Sequence, residues 1–381
     1  MLLIDMIFFR ARAVPKRAAI VQPDMIMTYR ELADAIESID DRIDQLRLDK
    51  REPVAVSISI PAFMLATTFA LMRAGYTVAF ADLPLLPHLM VAGVRSVIYD
   101  LQGHVVSGGR NIRFEQSWLP SANSQTPSRP HNREPAPNPN LIFFTPGTTD
   151  LPKKIIYAGA ALNRRLKYPL TAASGPYEKI LIMQSLASVF GVTRACEVLY
   201  AGKTGCFAPD ADAALSLIDD YGVEFVVASA SQALAMAQAR KEKPARQVGT
   251  LQGVMIPGHN IRPDGVAAIR AALCRNVLGV YGTAKAGVIA SAPFEAIEGA
   301  PGATGFVMPW VELEIVDESG TVLRAGEEGL VRYRTPELTE SLKITGSDES
   351  GDIRDGWHYP GDIGRITADG ILCLSRQTIP A

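Results

Sequence analysis

The chain is poor in the residues that build covalent or metal frameworks. Its four cysteines (Cys196, Cys206, Cys274 and Cys373) lie far apart with no CxxC spacing, which argues against a zinc ribbon or a disulfide scaffold and fits a reducing cytoplasm. Five histidines (His88, His104, His131, His259, His358) form no ligand spacing, so no structural metal is expected. Charge of one sign is also missing. A net charge of -2 gives no electrostatic case for nucleic acid or an anionic membrane as partner.

Long uncharged runs are nearly absent too. The N-terminal "MLLIDMIFFRAR" carries Asp5 inside its apolar run and its basic residues after it, the reverse of a signal peptide. "VAVSISIPAFMLATTFALM" (54–72) is free of charge, but its first half alternates and Pro61 stands where a helix would begin. A buried strand, a tight turn and a crossover helix account for it better than a bilayer span. A cytoplasmic protein without a membrane span is expected.

What is present is alternation of strands and helices. Thr28 and Glu31 form a capping-box pattern, and Leu32, Ala35, Ile36, Ile39, Ile43 and Leu46 follow at helical spacing. Strand-like runs at 54–60, 76–81 and 95–99 are separated by helical segments, which predicts a largely parallel sheet covered by helices. At 119–140 the pattern collapses into "LPSANSQTPSRPHNREPAPNPN", a surface linker by composition. Apolar runs at 141–144, 180–184, 224–228 and 252–256 return to α/β texture, with helices expected over 213–221 and 231–241. Beyond about residue 300, "VELEIVDESGTVL", "EGLVRYRTP" and "GRITADGILCLSR" read as short strands joined by Gly/Asp turns. The expected organisation is therefore a first α/β subdomain (1–140), a second (141–300) and a β-rich, barrel-like subdomain (301–381).

One loop carries chemistry. In "FFTPGTTDLPKKI" (143–155) an apolar strand runs into Gly, Thr, Pro and Lys. Glycine admits close backbone approach, and hydroxyls with backbone N–H groups can nest an anion. It is not a Walker loop, since Pro152 and Lys154 stand where that motif needs Gly and Ser or Thr. Taken alone, a surface turn explains it better.

Two further motifs change that reading. "GVYGTAKAG" and "GWHYPGDIGRITADGILCLSR" follow in order, and together the three resemble the adenylate-forming superfamily of acyl-CoA and aryl-CoA synthetases, luciferases and peptide-synthetase adenylation domains. The resemblance covers essentially the whole chain. It implies two stacked α/β subdomains plus the β-rich unit, and a loop that wraps the phosphates of ATP. Thr145, Gly147, Thr148, Thr149, Pro152 and Lys153 match that loop, while Pro146, Asp150 and Lys154 replace Ser, Gly and Gly. Pro146 removes a backbone donor and Asp150 adds a negative charge, so the triphosphate grip should weaken more than the AMP grip.

The same resemblance assigns Tyr281, with Gly282 and Thr283, to the adenine-side motif, where the ring would stack on the base. Ala284 replaces a Thr that touches the α-phosphate, and Lys285 replaces the Glu that holds Mg²⁺. Gly258 and His259 in "MIPGHNI" fall at the adenine pocket, although His259 reads equally as an exposed turn residue. Asp362 would accept both ribose hydroxyls, and Arg376 would contact ribose and phosphate. Ser188, Phe190 and Gly191 in "MQSLASVFGV" would line the tunnel for a carboxylic acid, against the plainer reading of a core strand running into a helix.

The implied ligands are ATP or AMP and a carboxylic acid, with CoA as the acceptor such ligases use. Lys285 leaves Mg²⁺ open. The smaller C-terminal domain of the family is expected to be missing after Ala381, which leaves room for a separate polypeptide to supply it. Two functions therefore stand side by side: an AMP-forming acid ligase, or a decayed nucleotide- or acyl-binding protein with a regulatory or partner role.

Overall fold

The structure is a computed structural model that describes residues 3–80, 93–100, 108–120, 139–145, 153–167, 175–258, 261–283, 285–336 and 353–376. The chain divides into two units, Met1–Ala173 with Ser185–Gly205, and Ser174–Gln184 with Cys206–Ala381.

In the first unit, α1 (Leu3–Ala13) precedes a hairpin of β1 (Ala18–Gln22) and β2 (Met25–Thr28). Thr28 then starts α2 (Tyr29–Leu46) with the expected reciprocal cap: its hydroxyl accepts the Glu31 N–H at 3.2 Å, and the Glu31 carboxylate accepts the Thr28 N–H at 2.7 Å. Leu32, Ala35, Ile36, Ile39 and Ile43 are buried along one face. β3 (Val54–Ser57) leads through Ile60 into α3 (Pro61–Arg73), with Pro61 in the first turn, where its missing N–H costs nothing. β4 (Val78–Phe80), β5 (Ser96–Tyr99), β6 (Arg110–Arg113), β7 (Leu141–Thr145) and β8 (Lys153–Tyr157) complete the sheet.

Its strand order is β6-β5-β3-β4-β7-β8. All neighbours are parallel except the last pair. Ala55, Ala79, Val97, Ile142 and Phe144 form one buried face, and Phe80 stacks on Phe143 at 4.9 Å. The unit runs past residue 140 because β7 pairs with β4 and so extends this sheet. Helices α4 (Gly159–Arg165) and α5 (Val189–Tyr200) also belong to it.

In the second unit, β9 (Lys179–Ile182) is followed, after β10 (Thr204–Cys206) at the unit boundary, by α6 (Ala211–Tyr221), β11 (Phe225–Val227), α7 (Ala230–Glu242), β12 (Gly253–Pro257), α8 (Pro263–Ala272) and β13 (Val277–Thr283). Strands β9, β11, β12 and β13 are parallel neighbours in that order. Their side chains are apolar because helices cover a parallel sheet on both faces. From β13 onward the pairing turns antiparallel, through β14 (Gly287–Pro293), the short helix α9 (Phe294–Ile297) and β15 (Ala303–Val307).

The rest of the unit is the β-rich segment expected beyond residue 300. It comprises β16 (Glu312–Val316), β17 (Gly329–Arg334), β18 (Ile353–Arg354), β19 (Trp357–His358), β20 (Ile363–Ile366) and β21 (Ile371–Arg376). These strands pair antiparallel, and β21 returns to β15. Among the described residues they close into no barrel, because the ladder continues into the parallel sheet through β15, β14 and β13. No helix among the described residues is long and apolar enough to cross a membrane.

Candidate functional site

Parallel strands leave their carboxyl ends facing one edge, where ligands of open α/β sheets bind. In the second unit, β12 and β13 end there side by side. Gly258 follows β12 with φ +89, a conformation that favours glycine, and its N–H donates to the Val280 carbonyl at 2.8 Å. This hydrogen bond sets Gly258 beside Tyr281.

Tyr281 projects into the interior and is 2% exposed, as is Asp362 at 3%. The tyrosine hydroxyl donates to Asp362 Oδ2 at 2.5 Å. Burial first, then the Asp362 charge and its hydrogen bond, push the phenol well above its ordinary pKa. Asp362 owes its place to the strand geometry: its carbonyl accepts the Val331 N–H at 3.0 Å, just before β20 pairs with β21. Opposite its neighbour Ile363 in that register stands Arg376, exposed at the end of β21.

The structure thus sets Gly258, Tyr281 and Asp362 near one another, whereas the exposed Arg376 is joined to them only through the backbone register of its strand. One expectation is modified. Tyr281 belongs to a buried cluster that includes Ala286, Ile289, Ala290 and Val331, and its side chain is almost wholly covered.

Thr283 also differs from expectation. Its hydroxyl shares a 2.6 Å hydrogen bond with Tyr333 Oη and accepts the Ala286 N–H at 3.1 Å, which closes the turn between β13 and β14. Gly282, in β13 just before that turn, has no room for a side chain: a Cβ there would lie 2.1 Å from the Gly287 carbonyl oxygen. Lys285 follows in the same turn, partly buried. Ala284 and His259 lie outside the described residues.

Sequence reasoning missed Tyr333. It is fully buried, it holds Thr283, and its ring packs 4.9 Å from that of His358. Alternation in "GLVRYR" gives the signal, since Val331 and Tyr333 point inward and Arg332 and Arg334 outward.

In the first unit, Thr145 ends β7 and Lys153 begins β8, and the two are register partners across the hairpin. Gly147, Thr148 and Thr149, with Pro146 and Asp150, lie outside the described residues. Ser188 caps α5: its hydroxyl accepts the Gly191 N–H at 3.0 Å and donates to the Ser185 carbonyl at 2.7 Å. Phe190 is half-buried and Gly191 buried, so the cap commits the Ser188 hydroxyl to the backbone.

Parallel strands that run into a glycine turn and a buried tyrosine–carboxylate pair define the class as an α/β protein with its candidate site at the strand ends. The chain belongs to the AMP-binding enzyme family, which matches residues 7–342. It is 26% identical to the indoleacetate–CoA ligase of Aromatoleum aromaticum over 94% of this chain and 75% of that one. To the 2-succinylbenzoate–CoA ligase of Bacillus pumilus it is 21% identical, over 95% and 75%. Among solved structures, VinN superposes with a TM-score of 0.81 at 18% identity, covering 99% of both chains. The amide bond synthetase McbA from Marinactinospora thermotolerans gives 0.79 at 20%, covering 99% of this chain and 79% of that one. Both likenesses bear on the fold.

Proposed function

We propose that this chain activates a carboxylic acid as its adenylate, the first half of an AMP-forming acid–CoA ligase reaction. An acid oxygen attacks the α-phosphorus of ATP, the bond to the β-phosphate oxygen breaks, and pyrophosphate leaves. The observation that carries the reading is the meeting of Tyr281 and Asp362 beside Gly258 at the strand ends. A buried carboxylate there suits a vicinal diol, because its two oxygens accept two hydroxyl protons.

Asp362 and Arg376 would hold the ribose, Gly258 and Tyr281 would border the adenine, and Thr145 and Lys153 would flank the phosphate loop. Ser188, Phe190 and Gly191 would border the acid. Relatives named for indoleacetate, 3-hydroxybenzoate and 2-succinylbenzoate make an aromatic acid the first substrate class to try, with CoA as the acceptor of the acyl group.

Lys285 does not suit a resident Mg²⁺. An ammonium and a divalent cation about 4 Å apart repel by roughly 8 kcal/mol at an effective dielectric near 20, so no step is assigned to the metal. The test is acid-dependent exchange of labelled pyrophosphate into ATP across a panel of aryl and acyl acids. Exchange that requires one acid class supports the reading, and no exchange with any acid overturns it.

A further inference from the structure

Helices α4 and α5 bury a charged cluster in the first unit. Arg165 closes α4, while Arg194 and Glu197 lie one turn apart on α5, and their exposures are 5%, 1% and 4%. Arg165 Nε donates to Glu197 Oε1 at 2.8 Å, and Arg194 Nη2 donates to the same oxygen. One carboxylate oxygen thus serves two guanidinium groups. Among the described residues, Arg194 Nε and Nη1, Arg165 Nη2 and the second Glu197 oxygen, Oε2, make no hydrogen bond, and the Tyr157 phenol acts on Arg165 beside them.

Among the described residues the charges do not balance. Two cations face one anion, and among the described residues the groups that act on Arg194 are Glu197, Arg165 and the Tyr157 phenol. Burial, partly offset by Glu197, brings the Arg194 pKa down to about 10, so the guanidinium still carries its proton at neutral pH. An unpaired buried charge is costly, and so is each unmade hydrogen bond. Bridging water could satisfy the donors but would leave the excess charge in place.

The cluster adjoins the segment assigned to the acid. Arg194 follows Phe190 by one helical turn, and its guanidinium carbon lies 5.3 Å from the Phe190 ring centroid. We propose that Arg194, with Arg165 beside it, binds the second carboxylate of a dicarboxylic acid whose first carboxylate is the one activated. This inference rests on the acid-activating reading above. A carboxylate matches the guanidinium fork and cancels the excess charge. A monoacid would bring an apolar end to donors that need an acceptor, the kind of mismatch that discriminates strongly.

The test is calorimetric titration of the whole chain, without nucleotide, with succinate, glutarate, adipate, suberate and terephthalate, each against the monocarboxylate of the same length. The best dicarboxylate should bind at least about tenfold more tightly than its monoacid. Arg194→Met should abolish that preference. Arg194→Lys, which keeps the charge and loses the fork, should fall between them. Should Arg194→Met fail to fold, the acid panel on the unmodified chain still decides. Equal affinity for both acid classes, an unchanged ratio in Arg194→Met, or no acid binding at all overturns the proposal. Pyrophosphate exchange separates the two claims. Exchange with monoacids alone sinks this inference and leaves the functional reading. Dicarboxylate binding without exchange overturns the functional reading, and with it the claim that the first carboxylate is activated, and leaves Arg194 only as a carboxylate-binding residue.

Discussion

Tyr281 and Asp362, 81 residues apart in the chain, share a 2.5 Å hydrogen bond inside the second unit. The bond joins the end of a parallel strand to the start of an antiparallel one, so the two halves of that unit's ladder are tied at the candidate site. It also occupies the carboxylate that a ribose would need. Nucleotide binding therefore has to exchange a phenol donor for ribose hydroxyl donors, or share the carboxylate between them.

Removing the phenol tests the stability side of this bond. Tyr281→Phe leaves Asp362 buried with one donor fewer, which should cost about 1–3 kcal/mol. Urea denaturation at neutral pH measures it. The effect depends on pH in a defined direction. The folded phenol pKa is raised, while an unfolded tyrosine titrates near 10. Its contribution is therefore complete below about pH 10 and is lost as pH rises further. The unmodified protein should lose stability above pH 10 more steeply than Tyr281→Phe, and identical slopes would count against the assignment.

Gly282→Ala tests the turn that carries the site. The added methyl would lie 2.1 Å from a backbone oxygen, so the β13–β14 pair must shift. Overpacking of this kind costs about 1–3 kcal/mol, and here it should also weaken AMP binding through Tyr281. A variant as stable as the parent would mean that the hairpin is looser than its geometry implies.

Lys285 gives a third prediction. If its ammonium takes the part of a cation at the phosphate, nucleotide affinity should be the same with Mg²⁺ and with EDTA. It should fall in Lys285→Ala, and Lys285→Glu should introduce some Mg²⁺ dependence. Titrations with and without metal decide it, and a strong Mg²⁺ requirement in the unmodified chain would remove the lysine from the account.

Much of this was legible in the sequence, for physical reasons that differ by element. The capping box at Thr28, the proline that opens α3 and the apolar runs of β9, β11 and β12 are local signals, read within a few residues. The hairpin of β7 with β8 was not, because "KKIIY" looks like the end of a loop until its partner "LIFFT" is known. Gly258, Tyr281 and Asp362 are singled out by motif, but the bond between the last two is not, since two motifs in order say nothing of which side chains touch. Tyr333 and the Arg165–Arg194–Glu197 cluster were missed for a related reason. Each is defined by contacts between segments, and a lone Arg on a helix such as "VFGVTRACEVLY" reads as solvated until its burial is seen.

The relative grip on AMP and ATP follows from the loop that sequence alone describes. On the reading proposed above, Pro146 and Asp150 weaken a triphosphate nest while the proposed ribose and adenine residues are kept, so AMP should bind at least as tightly as ATP. Calorimetry with AMP, ATP and GTP measures this, and ATP binding much more tightly than AMP would refute the weakened loop.

The central claim is that Asp362 is the nucleotide's ribose acceptor. Calorimetric titration of AMP into the unmodified chain and into Asp362→Ala tests it most directly. The account predicts saturable AMP binding that Asp362→Ala abolishes while a thermal melt still shows a folded protein. AMP binding of equal affinity in both proteins, or none in the unmodified chain, would contradict it.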